Sequence, residues 1–172
     1  MSAFEKLNSL SKEEATKAFY LCCSSTVWAS QMASCLPFKS EDDLIAQADR
    51  LWNACKLADF MEAFSHHPRI GGDLETLRKK YQSTAGWASS EQSGVSGASE
   101  EVLQELNSGN IEYENKFGFV FLICATGKSA TEMLEALKKR LPNSKDQEIL
   151  NAKVEQGKIT HIRLKKLLGE MK

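Results

Sequence analysis

Apolar residues recur at three- and four-residue intervals along most of the chain, and that spacing predicts helices. Phe4 to Leu10 reads as a short amphipathic turn or helix. Ser11-Lys12-Glu13-Glu14 has the form of a capping box, and Ala15, Ala18, Phe19 and Cys22 follow at helical spacing. Ser24, Ser25 and Thr26 interrupt the pattern, which resumes from Val27 to Leu36 and ends at Pro37. Ser40 is the next predicted N-cap, with Glu41, Asp42 and Asp43 in the first turn where the helix dipole favours acids. Leu44, Ile45, Ala48, Leu51, Trp52, Cys55, Ala58, Phe60, Met61 and Phe64 then form a wide apolar face, with a break expected near Asn53.

Pro68 stops this run, because proline lacks an N–H and pushes its predecessor out of the α region. Leu74 to Tyr81 predicts a short charged helix, whereas Gln82 to Ser99 is rich in Ser, Gly and Ala and reads as a linker on composition alone. Ser99 caps a helix carrying Val102, Leu103, Leu106, Ile111 and Tyr113, with Gly109 as its weak point. Lys116 to Gly127 is strand-like by residue type but has no credible partner strand. A second capping box, Ser129 to Glu132, opens a helix that Pro142 stops. Asn143 or Ser144 caps the last helix, whose buried stripe is expected at Ile149, Ala152, Ile159, Ile162 and Leu167. The expectation is an all-α, single-domain bundle spanning residues 1–172. It has about seven or eight helices and one extended crossing segment, residues 117–126.

Composition narrows the function classes. A chain of 172 residues is long enough to bury a core of useful size, and a formal net charge of -1 gives no footprint for nucleic acid or an anionic membrane. The five cysteines are odd in number, lack a Cys-x-x-Cys pair, and read as reduced, mostly buried thiols. The N-terminus has no apolar signal core, the longest apolar run is too short for a membrane span, and Glu170-Met171-Lys172 is not a peroxisomal address. A cytoplasmic protein is expected.

Four places concentrate candidate chemistry. His67, at the Pro68 corner, offers an imidazole that titrates within the physiological window; its plainer reading is a helix-terminal histidine satisfied by backbone. Glu91-Gln92 sets a carboxylate beside an amide among small residues, or is a solvated loop pair. Arg163 lies between residues of the apolar stripe and suits planar recognition of a carboxylate or ureide, unless only its stem is buried. The extended run Phe119-Val120-Phe121-Leu122-Ile123 leaves backbone donors and acceptors that a planar heterocycle or other backbone must pair. Adjacent His66 and His67 rarely chelate one ion together, so no metal is expected. No phosphate loop of recognised form and no nucleophile elbow are present.

These blocks resemble, in order, those of the ureidoimidazoline decarboxylases of urate breakdown, which act on 2-oxo-4-hydroxy-4-carboxy-5-ureidoimidazoline (OHCU). The matching stretches are His67-Pro68-Arg69-Ile70-Gly71, Ala88-Ser89-Ser90-Glu91-Gln92, Lys116 to Ser129, and Ile162-Arg163-Leu164. The resemblance implies an all-α, cofactor-free, homodimeric decarboxylase yielding S-allantoin. It implies His67 and Glu91 as catalytic groups, with Pro68, Ala88, Gln92, Phe119 to Ile123 and Arg163 contacting substrate. One departure stands out: the family's substrate-touching serine is Ala88 here. Either Ser89 or Ser90 replaces it, or one hydrogen bond worth about 1 kcal/mol is lost. A fused transthyretin-like domain, found in some relatives, is expected to be absent. A cofactor-free ureide hydrolase and a non-catalytic helical adaptor are the competing readings. The first would add water without releasing CO₂, and the second would tolerate substitutions in the Ser/Gly segment.

Overall fold

The computed structural model describes residues 2–70, 72–82 and 98–171. Those residues form nine helices and no strand. The helices are α1 (Ala3–Asn8), α2 (Lys12–Cys23), α3 (Thr26–Ala33), α4 (Glu41–Ala54), α5 (Leu57–Ser65), α6 (Leu74–Gln82), α7 (Glu100–Phe117), α8 (Ala130–Arg140) and α9 (Lys145–Glu170). The long apolar face from Leu44 to Phe64 is divided between α4 and α5. The chain turns extended at Cys55 (ψ 154°) and Lys56 (ψ 169°), two residues after the expected break. Helix starts follow the serines. Ser2, Ser11 and Ser129 close reciprocal capping boxes, and Ser25, Ser40 and Ser99 each accept a first-turn N–H. Ser144 rather than Asn143 caps α9, its hydroxyl accepting the Gln147 N–H at 3.2 Å.

Two compact units are present, one of residues 1–66 with 151–172 and one of residues 67–150. In the first, Phe19 sits edge-on to Trp28 (6.3 Å between centroids) and to Phe38 (5.9 Å), all three buried. The two indoles also carry polar handles that find backbone. Trp28 Nε1 donates to the Ala48 carbonyl and Trp52 Nε1 to the Lys153 carbonyl, each at 3.0 Å, so burial leaves neither N–H unpaired. Asn8 brackets the Phe38 peptide, donating to its carbonyl at 2.8 Å and accepting its N–H at 2.9 Å.

In the second unit α7 packs on α8, and Gly109 makes that approach possible. A Cβ there would stand 2.6 Å from Leu137 Cδ2, and Leu137 is fully buried. Gly109 therefore does not weaken α7, which runs unbroken to Phe117. Gly109→Ala gains roughly 1 kcal/mol of helix propensity but overpacks this contact by about 1–3 kcal/mol. A net loss of about 1 kcal/mol is expected in urea denaturation, and a stabilised variant would contradict the packing argument.

Three apolar residues expected inside are exposed, Ala58 on α5 among them. Ile111 is 40% accessible and Ile162 45%. On α7 the buried positions are 103, 106, 109, 110, 113 and 117, and on α9 they are 148, 152, 156, 160, 164 and 168. Ile162 stands two residues from its buried neighbours, hence about 200° around the helix. The buried face of α9 is instead partly polar, with Glu148, Gln156 and Thr160 within it.

The non-helical segment begins one residue later than expected. Phe117 ends α7, and Gly118 adopts φ 81° to donate its N–H to the Glu114 carbonyl at 2.8 Å. From Phe119 to Ser129 the chain then runs without regular structure to α8.

Candidate active site

His67 follows a helix end made by proline. The α5 helix stops at Ser65, and the C-cap His66 donates its N–H to the Ala63 carbonyl at 3.3 Å. The helix therefore ends two residues before His67 instead of carrying it. The two histidines have different surroundings. His66 is exposed, with Nε2 3.1 Å from the Tyr20 hydroxyl and its ring edge-on to Tyr20. His67 is half-buried, and Pro68 beside it is exposed.

In the second unit this corner is pinned to α7 at two points. Arg69 donates through Nε (3.0 Å) and Nη2 (2.6 Å) to one Glu114 oxygen. Asn110, which is 1% exposed, donates to the Ile70 carbonyl at 3.4 Å. Gly72 (φ 69°) closes the turn with its N–H on the Arg69 carbonyl at 2.8 Å, a conformation that glycine accepts without strain. These contacts fix the backbone that follows His67 and so restrict how far that backbone can move.

The same unit holds the Phe119–Ile123 run. The side chains of Phe119, Phe121 and Leu122 are buried, and those of Val120 and Ile123 are half-buried. Phe119 and Phe121 pack edge-on to Tyr113 at 6.0 and 5.2 Å. What the segment can offer a ligand is mainly backbone. One backbone acceptor is already taken, since Arg140 Nη1 donates to the Leu122 carbonyl at 2.8 Å.

Arg163 belongs to the first unit. It is half-buried on α9 and donates through Nη1 to the Cys22 carbonyl at 3.5 Å. With Lys166, Glu170, Cys22 and neighbouring apolar residues it lines a cavity of about 250 Å³. A guanidinium fork at the wall of such a cavity is suited to a carbonyl or carboxylate. Ala88, Glu91 and Gln92 lie outside the described residues.

Three of the four thiols in this unit are poor nucleophiles near neutral pH. Burial pushes Cys22 to about 11, Cys23 to about 12 and Cys55 to about 11, so the reactive thiolate is scarce. Among the described residues no three His, Cys, Asp or Glu side chains are grouped to hold a metal ion, and no helix is long and apolar enough to cross a membrane.

The sequence reading missed one group of residues. Glu148 is fully buried, and it is bonded to Arg140, Tyr113 and Asn143. Burial, and then the hydrogen bond to Glu148, raise the Tyr113 phenol far above its ordinary value. The one available signal was register, because Glu148 precedes Ala152 by four residues on the face α9 buries.

The family model described as OHCU decarboxylase matches residues 8–165. The chain is 37% identical over 158 residues to the uric acid degradation bifunctional protein TTL of Arabidopsis thaliana, covering 87% of this chain and 46% of that protein. The chain thus spans less than half of the plant relative's length. It is 28% identical to the 2-oxo-4-hydroxy-4-carboxy-5-ureidoimidazoline decarboxylase of Amia calva, covering 95% of this chain and 93% of that one. Among solved structures, an OHCU decarboxylase crystallised in the presence of (S)-allantoin superposes with a TM-score of 0.71 at 37% identity, covering 93% of this chain and 99% of that chain.

Proposed function

The chain belongs to the OHCU decarboxylase family, and from that premise we propose that it converts OHCU to (S)-allantoin and CO₂ in urate degradation. The observation that carries this reading is the 37% identity to a solved OHCU decarboxylase, with nearly the full length of both chains aligned. The proposal extends to a cofactor-free homodimer of single domains working in the cytoplasm.

The substrate's own chemistry makes a cofactor unnecessary. Its carboxylate sits on the carbon beside a C=N bond, which accepts the electron pair released when the C–C bond to CO₂ breaks. The resulting enamine-like intermediate must then take a proton on one face of the ring carbon. His67 is assigned the acid–base role, either managing the 4-hydroxyl or delivering that proton. Glu91 orients His67 or the ureido N–H groups, and Gln92 pairs the ureide. Arg163 holds the ring carbonyl or the developing charge. Pro68 and residue 88 contact the substrate, and the backbone of Phe119 to Ile123 pairs the heterocycle. The half-buried imidazole on a pinned corner supports the assignment to His67 rather than to exposed His66, which is committed to Tyr20.

Circular dichroism of the product from freshly generated OHCU tests the reading. Optically active product, formed faster than in buffer and with CO₂ release, is the expected result. Racemic product at the uncatalysed rate would leave the adaptor reading standing, and water addition without CO₂ release would favour the ureide hydrolase.

A further inference from the structure

A buried polar knot lies behind the Phe119–Ile123 run, and none of its members has a part in the reaction as assigned above. Glu148 is fully buried at the start of α9. Its Oε2 accepts from Arg140 Nε at 2.8 Å and from the Tyr113 hydroxyl, and its Oε1 accepts from Asn143 Nδ2 at 2.8 Å. Arg140, whose side chain is 13% exposed, spends its other donors on the Tyr113 hydroxyl (Nη2, 3.2 Å) and the Leu122 carbonyl (Nη1, 2.8 Å). Its guanidinium carbon lies 4.7 Å from the Phe121 ring centroid and 5.8 Å from that of Tyr113.

A buried ion pair is a poor way to stabilise a core, because desolvation cancels much of the attraction and apolar side chains fill the same space as well or better. What apolar packing cannot do is aim a peptide. Here three donors of one rigid guanidinium plane are used in three directions: a carboxylate, a phenol and the Leu122 carbonyl. The first two fix the plane, and the third fixes the peptide. Because a trans peptide is planar, holding the Leu122 carbonyl toward Arg140 turns the Ile123 N–H the opposite way. That N–H has no hydrogen-bond partner among the described residues. Asn143, in the turn between α8 and α9, holds the second oxygen of Glu148 and so keeps the carboxylate from rotating.

We propose that Arg140, with Glu148 and Tyr113 behind it, is a positioning residue that aims the Ile123 N–H and the adjoining backbone at the substrate heterocycle. The inference rests on the reading that this segment pairs OHCU. It adds residues that touch no substrate yet set how well the substrate binds and which face is protonated.

Arg140→Lys is the test. Lysine keeps a positive charge opposite Glu148 but lacks a planar fork that can reach the carboxylate, the phenol and the carbonyl together. KM for OHCU is expected to rise about tenfold while kcat stays within about threefold, and the optical purity of the product is expected to fall. A folded Arg140→Lys protein with wild-type KM and wild-type optical purity, even with a lowered melting temperature, would reduce the knot to a structural element and overturn the proposal. If that variant does not fold, Tyr113→Phe decides, since it removes one hydroxyl and leaves the ring packing. A roughly threefold rise in KM supports the proposal, and an unchanged KM overturns it. The wild-type control separates the two levels: racemic product from wild type would sink the decarboxylase reading itself and the positioning role with it, whereas active wild type with unaffected variants sinks the positioning role alone.

Discussion

His67→Asn will lower kcat for OHCU decarboxylation by about 10²–10⁴-fold, the range typical of losing a general acid or base. Asparagine is close in size and keeps hydrogen-bonding atoms, but its amide neither takes nor gives a proton near neutral pH. The position is half-buried and lies next to an exposed proline at a helix end, so the replacement asks little of the fold. The melting temperature should stay within a few degrees of wild type. His66→Asn is the paired control. It removes the 3.1 Å contact with the Tyr20 hydroxyl, and kcat should stay within about twofold because a single exposed hydrogen bond is worth about 1 kcal/mol or less. Product circular dichroism and initial rates on both variants give the answer. Equal losses in both would mean that the corner as a whole, not one imidazole, is what activity requires. Full activity in His67→Asn would move the proton-transfer role away from this residue.

The position of His67 was legible in the sequence because its determinants are local. A proline at 68 must end the preceding helix, and whatever precedes it is placed at the break. The same holds for the serine caps at 11, 40, 99 and 129, each of which satisfies an N–H three residues away. Local rules also gave the non-helical run after Gly118, where aromatic and β-branched residues disfavour a helix and only glycine takes φ 81° easily.

The Arg140–Glu148 knot was not legible, and the reason is equally physical. Its members come from α7, the non-helical run, the end of α8, the turn after it and the start of α9. In isolation its two charged members look like surface residues. Arg140 reads as a cation favoured in a last turn, and Glu148 as an acid favoured in a first turn. Periodicity counts apolar residues, so a face of α9 buried through Glu148, Gln156 and Thr160 is invisible to it. The exposed Ile162 was misplaced for the same reason. Gly109 was misread because propensity treats glycine as a defect, whereas the missing Cβ makes room for Leu137.

Glu148→Ala will cost about 3–5 kcal/mol of stability, the largest structural effect expected of a single substitution at the knot. The loss is more than that of one ion pair. It leaves the Arg140 guanidinium, the Tyr113 hydroxyl and the Asn143 amide without their shared acceptor in a site that is closed to water at its centre. For a chain of this length about 2–4 °C of melting temperature accompanies each kcal/mol, so thermal unfolding should shift by roughly 6–20 °C. Glu148→Gln keeps an acceptor oxygen and the side-chain volume, and should cost less, about 1–3 kcal/mol. The double replacement Arg140→Met with Glu148→Leu separates stability from aiming. Removing both charges at once spares the penalty of an unpaired ion, and stability should return to within about 1–2 kcal/mol of wild type. The Leu122 carbonyl would then have lost its Arg140 donor, so KM for OHCU should remain raised in a protein that is nearly as stable as the original. A double variant with restored stability and a wild-type KM would show that packing alone holds the segment. A Glu148→Ala protein that loses less than about 1 kcal/mol would mean that water reaches the knot and shares its burden, contrary to the complete burial of Glu148.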